Sequence, residues 1–156
     1  CNRHGFRVCH HSVQSTHIHL IAEAKDARAL SRGMQGLCIR IARQLNRTLR
    51  RSGKIFADRF FSRILKTPRE VKNCICYVLN NAQRHWFGKG EGLRELTFDP
   101  YSNASTFDGW KHRAKRRVIW DGPAEVAEPK TWLLSEGWRR HGLLIPAYVP
   151  QWGNRW

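Results

Sequence analysis

Acidic residues are scarce in this chain. Twelve Asp and Glu stand against 28 Lys and Arg, which leaves a formal charge of +16 and a pI near 10.7. A domain so charged repels itself, and such an excess ordinarily serves a polyanionic partner, nucleic acid ahead of an anionic membrane surface. No run of 18 apolar residues occurs, so no transmembrane helix is expected. No hydrophobic signal segment opens the chain. Cysteine is sparse and irregular: Cys1, Cys9, Cys38, Cys74 and Cys76 form an odd set without the spacing of a disulfide framework. Cys74 and Cys76 are also too close for a CxxC zinc knuckle, and the thiols read as reduced and intracellular. No internal repeat is evident. What remains is 156 residues, 41% of them hydrophobic, enough for one domain with a modest core or one domain with an appendage.

Periodicity divides the chain. Residues 6–14 and 16–24 read as two strands joined near Gln14–Ser15. In the second strand His17, His19, Ile21 and Glu23 alternate with Ile18, Leu20, Ala22 and Ala24. Asp26 can cap a helix of about two dozen residues. Its apolar stripe is Leu30, Met34, Leu37, Cys38, Ile41, Leu45 and Leu49, and Gly53 suits the position past its end. Residues 54–65, rich in Ile and Phe, read as a third strand. Thr67-Pro68-Arg69-Glu70 then starts a second helix with a capping box, and that helix continues through Asn81. After Gly88 the composition turns to Gly, Pro, Trp and Arg, with a basic run at residues 111–117 and a short helix at 131–140 closed by Gly142. The expected organisation is a domain over residues 1–88 and a basic, Trp-rich C-terminal extension over residues 89–156.

Two features could carry chemistry. Along a strand, side chains two apart share a face at roughly 6.5–7 Å, so His17 and His19 can converge on one divalent ion. The bare pattern fits better a strand that merely tolerates two imidazoles, and His10 and His11 point to opposite faces. On the second helix Tyr77 is turned about 130° from the centre of the stripe formed by Val71, Cys74, Ile75, Val78 and Leu79. It lies on the edge that carries Asn73, Asn81 and Arg84, and Asn81 one turn on can share its face. A surface tyrosine would look the same.

Taken in order, "HIHLIAEA", "MQGLCIRIARQLNR", "GKIFADRFFSRIL" and "YVLNN" resemble the HUH single-tyrosine DNA transposases, in particular their REP-associated, RayT-like group. The late stretch "TWLLSEGWRRHGLL" resembles a tail of some members. The resemblance implies an α+β fold, an antiparallel sheet with flanking helices of the HUH, ferredoxin-like type. It implies that His17 and His19 hold Mg²⁺ or Mn²⁺, with Asn81 completing the metal set, and that Tyr77 is the nucleophile. Tyr77 would attack single-stranded DNA, forming a 5′-phosphotyrosine link and freeing a 3′-OH. A divalent ion would polarise the phosphodiester and neutralise charge in the transition state. The covalent link would conserve the bond for rejoining. Implied with it are single-stranded or hairpin DNA as partner, no membrane, a homodimer in some relatives, and a cytoplasmic, nucleoid-associated bacterial setting.

Candidate DNA contacts follow from charge. Arg40, Arg43, Arg47, Arg50 and Arg51 could track phosphates, as could Lys111, Arg113, Lys115, Arg116, Arg117, Arg139 and Arg140. Trp110, Trp120, Trp132 and Trp138 stand beside them and either stack unpaired bases or anchor the tail to the core. Two departures from relatives stand out. Thr16 stands where relatives often have Asn before the first histidine, and the opening strand and helix that relatives carry before the segment at Phe6 are missing, so the domain reads as N-terminally truncated, with a sheet edge or an apolar face expected to lie uncovered. The rival reading is a non-catalytic nucleic-acid-binding remnant of such a transposase. A replication initiator or relaxase fits less well, because no second domain is visible.

Overall fold

A computed structural model describes residues 2–3, 5–81, 98–99, 101–111 and 126–146. Its class is α+β: an antiparallel sheet of order β1-β2-β3 and a few helices. Strand β1 (Asn2–Arg3) is a two-residue edge on β2 (Phe6–Val13), which pairs with β3 (Ile18–Ala24). The hairpin turns where expected, with Gln14 N donating to His17 O at 2.9 Å.

Helix α1 (Ala27–Thr48) begins at Asp26, whose carboxylate accepts from Ala29 N at 2.7 Å. Helix α2 (Pro68–Leu79) begins with the full capping box of Thr67 and Glu70, and Glu70 also takes Arg63 at 2.7 Å. These orphan donors are satisfied locally, which is why both helix starts are fixed by sequence.

The helices lie on opposite faces of the sheet. Phe6, paired with Ala24, points at α1, and a Cβ on Gly33 would stand 2.1 Å from the Phe6 ring, so only glycine permits this approach. Ile21, three residues from Ala24 and therefore on the other face, joins Val71, Ile75, Val78 and Leu79 of α2 in the buried core. A β-bulge between Val8 and His10 adds one residue to β2, so Cys9 enters that same core and His10 stands opposite Ile21.

The segments after residue 97 complete the core. Ala104, Leu134, Trp138 and Leu144 are buried with α2, and Phe98, Phe107 and Trp110 pack around them. The far edge of β2 is covered from the same side, by Ala127 N to Val8 O and Val13 N to Tyr101 O, each 2.8 Å. The tail includes a 3₁₀ turn (Asn103–Thr106), a helical turn (Trp132–Ser135) and a second 3₁₀ turn (Gly137–His141) ending at Gly142 with φ +82°. Glu23 of β3 holds the helical turn in place, accepting from Thr131 N at 2.8 Å and Thr131 Oγ1 at 2.6 Å. Those hydrogen bonds outweigh the cost of burial and keep the Glu23 carboxyl below its ordinary range.

Three local expectations need correction. Residues 54–65 form no strand, and no backbone hydrogen bond joins them to the sheet. Their apolar residues come in adjacent pairs, Ile55-Phe56, Phe60-Phe61 and Ile64-Leu65, so a strand would send one of each pair to either face. Helix α1 closes at Thr48, and Arg50 rather than Gly53 takes the first left-handed position, at φ +49°. Helix α2 stops at Leu79, with Asn80 as its C-cap, and Asn81 resumes helical backbone beyond the break. Among the described residues, Cys9, Cys38, Cys74 and Cys76 are free thiols and no helix is long and apolar enough to cross a membrane.

Candidate functional site

His19 of β3 meets Tyr77 of α2, and His17, just before the strand, meets His19. His17 stands at the mouth of the hairpin and His19 two residues along, so both project to the α2 side of the sheet. Their Nε2 atoms are 3.0 Å apart, and their ring centroids 4.6 Å. The ring of Tyr77 stands edge-on to His19 with centroids 5.1 Å apart at 76°. His17 is exposed, while His19 and Tyr77 are half-buried. The site is therefore a rim where the sheet face passes from core to solvent, with Ile21 buried just behind it.

The donor set fits a divalent ion in part. Two ligands at right angles on an ion about 2.1 Å away are roughly 3.0 Å apart, the separation found between the imidazoles. The same distance serves a hydrogen bond between neutral rings, one donating and one accepting. Thr16 Oγ1 lies 3.0 Å from His17 Nδ1. If Nδ1 carries the proton and donates to that hydroxyl, His17 presents its Nε2 lone pair outward. Among the described residues no group of three His, Cys, Asp or Glu side chains is placed to hold an ion. An amide is one donor that such a group would leave out. Asn81 is 1% exposed, and its Nδ2 is buried without a hydrogen-bond partner. Such an orphan costs about 1–3 kcal/mol, and a half-turn of the amide offers an acceptor in place of the donor.

The thiols near the core are held in their protonated form. Burial pushes Cys9 up to about 12, and Cys74 and Cys76 up to about 11, so all three remain protonated thiols at neutral pH.

The basic side chains divide. Exposed Arg40, Arg43 and Arg47 line one shallow concavity on α1 with Gln44, which accepts from Arg47 at 2.7 Å. Their helix packs on the sheet face opposite Tyr77. Arg50 and Arg51 are exposed at its end, and Lys111 is exposed. Arg139 pairs with the exposed Asp108 at 2.8 Å and lies 4.7 Å over the Trp138 ring. Exposed Arg140 stacks on Trp132 at 4.7 Å. Arg84, Arg113, Lys115, Arg116, Arg117 and Trp120 lie outside the described residues. Of the tail tryptophans, Trp138 is core at 1% exposure and Trp110 stacks on Phe98 at 5.2 Å, whereas Trp132 is exposed.

Sequence reasoning missed a buried polar pair beside this site. His10 is 6% exposed, and Asn103 Nδ2 donates to its Nδ1 at 3.1 Å. The bulge that turns His10 inward leaves no mark in the alternation pattern. Burial, reinforced by His11, lowers the His10 pKa to about 4. Between pH 6.5 and about 4 the unfolded chain therefore binds a proton that the folded chain refuses, and stability is lost as pH falls. The loss from this group amounts to about 3 kcal/mol. Glu23 acts in the same direction at lower pH, and Asp99, raised by burial, acts against it. Urea titrations at pH 7 and pH 4 should show a smaller drop for His10→Gln than for the parent chain. Equal drops would place the acid sensitivity elsewhere.

Comparison with protein-family models, with curated proteins and with solved structures returns no match for this chain.

Proposed function

We propose that this chain is a metal-dependent, single-tyrosine DNA transposase of the HUH type, which cleaves and rejoins single-stranded DNA. One observation carries this: two imidazole Nε2 atoms 3.0 Å apart share a site with a helix-borne tyrosine whose ring stands 5.1 Å from one of them. The ordered motifs from "HIHLIAEA" to "YVLNN" and the net charge of +16 support it from the sequence side.

In this mechanism His17 and His19 hold Mg²⁺ or Mn²⁺, and the orphaned amide of Asn81 is the candidate third ligand. The ion, when bound, draws charge from the phosphodiester oxygens and stabilises the transition state. Tyr77 Oη attacks the phosphorus. The Oη–P bond forms, the bond from phosphorus to the 3′ oxygen breaks, and the phenol's proton is balanced by the one gained at the departing 3′-OH. The 5′-phosphotyrosine conserves the bond energy, so a later 3′-OH can reverse the step without ATP. His19 packs against the Tyr77 ring and keeps the nucleophile at the site. Exposed Arg40, Arg43 and Arg47 offer a phosphate track on the far layer of the domain.

The test is a denaturation-resistant adduct. The chain, incubated with Mn²⁺ and a labelled single-stranded hairpin oligonucleotide, is expected to yield one, and a chelator is expected to prevent it. Binding without any adduct would favour the non-catalytic remnant. The specific observation on that side is that none of the residues of α1 is buried, so one layer of the fold is only lightly packed.

A further inference from the structure

We infer that the irregular stretch between the helices is a stacking platform for the unpaired bases of a single-stranded polynucleotide, an inference that rests on the DNA reading above. Phe61 is 76% exposed and Phe60 40%, in a segment that leaves the sheet unpaired. With Ile64, 78% exposed, they put three large apolar side chains in solvent within five residues, and clustering of that kind, unlike a lone exposed hydrophobe, marks an interaction site. The surroundings say what kind of partner does. Residues 50–66 include Arg50, Arg51, Lys54, Arg59, Arg63 and Lys66 against a single acidic residue, Asp58. Arg59 is exposed beside Phe60, and so are Arg50, Arg51 and Lys66. Aromatic faces interleaved with cations match a strand that offers flat bases and phosphates together.

Other occupants fit less well. A second copy would bring its own +16 to the same face and be repelled. An anionic bilayer favours an amphipathic helix with one apolar face, and this segment is not helical. Duplex DNA keeps its bases stacked inside, out of reach of Phe61. The platform is also tied to the catalytic helix. Arg63 pairs with Glu70 in the first turn of α2 at 2.7 Å, and Tyr77 follows about two turns further along that helix. A strand resting on Phe60 and Phe61 would be held within a few nucleotides of the nucleophile.

Fluorescence anisotropy with a labelled oligothymidine tests this on the full chain. Phe61→Ala is expected to weaken binding about tenfold, and Phe60→Ala with Phe61→Ala further, with the slope of log affinity against log salt unchanged. Phe61→Trp should restore affinity, and Arg59→Ala should lower the salt slope by about one ion. Because Phe61 is exposed, circular dichroism and the thermal midpoint should not move. Unchanged oligothymidine affinity in both Phe variants overturns the inference. So does a Phe61-dependent dimer in sedimentation, or Phe61-dependent binding to anionic vesicles, with DNA affinity unaffected. Adduct formation with Phe-independent binding would sink only the platform. Phe-dependent binding without an adduct would sink the transposase reading and leave the platform standing.

Discussion

Tyr77→Phe is expected to leave no denaturation-resistant DNA adduct at any metal concentration, while the fold persists. The substitution removes only the oxygen. A phenyl ring fills the same volume and keeps the edge contact with His19, so helix and sheet stay joined. Without Oη no phosphorus–oxygen bond to the protein can form, and the loss is complete rather than graded. His17→Ala and His19→Ala are expected to behave differently. Each should cut adduct formation by at least about 100-fold, because an ion worth several kcal/mol in the transition state is lost or misplaced. If one ion bridges the pair at its 3.0 Å separation, the double variant should be little worse than either single one. Multiplicative losses would mean that the two histidines act separately. Metal binding followed without DNA, by calorimetry with Mn²⁺, should show the same pattern.

Trp138→Ala is expected to destabilise the whole chain by about 3–5 kcal/mol, a large share of the roughly 5–15 kcal/mol that holds a domain folded. The indole is 1% exposed and donates Nε1–H to Leu134 O at 3.1 Å. It lies 5.6 Å from Phe107, and its Cη2 comes so near Gly109 that a Cβ there would stand 2.3 Å away. Alanine would open a cavity against α2 and strand the Leu134 carbonyl. Trp132→Ala, at an exposed position whose ring carries Arg140, should cost well under half as much. Urea unfolding followed by circular dichroism separates the two. If Trp138→Ala cost less than about 1 kcal/mol, the tail would be an appendage rather than part of the core.

Those two tryptophans show where sequence reasoning stops. Both stand in the short stretch "TWLLSEGWRR", and composition gives no reason to bury one and expose the other. The difference comes from Gly109 and Phe107, about 30 residues upstream, which make the pocket that Trp138 enters. Local signals were legible. Asp26, Thr67 and Glu70 mark helix starts because capping satisfies donors within four residues. The alternation through His17, His19 and Ile21 gave the face that meets α2, since a strand's period is fixed by its pleat. Non-local choices were hidden. The bulge at Cys9 buries His10 against Asn103, a partner 93 residues away. Residues 54–65 have strand composition without strand spacing, and composition alone misled. At the candidate site, only the family resemblance pairs Tyr77 with the two histidines, and spacing alone does not bring the two elements together.

Peptide mapping of the protein–DNA adduct tests the central claim most directly. After incubation with Mn²⁺ and a single-stranded hairpin, the adduct would be digested with nuclease and protease and its modified peptide sequenced by mass spectrometry. The account predicts a 5′-phosphonucleotide on Tyr77 and on no other residue. A nucleotide on a different side chain, or a folded, DNA-binding chain that yields no modified peptide, would contradict it.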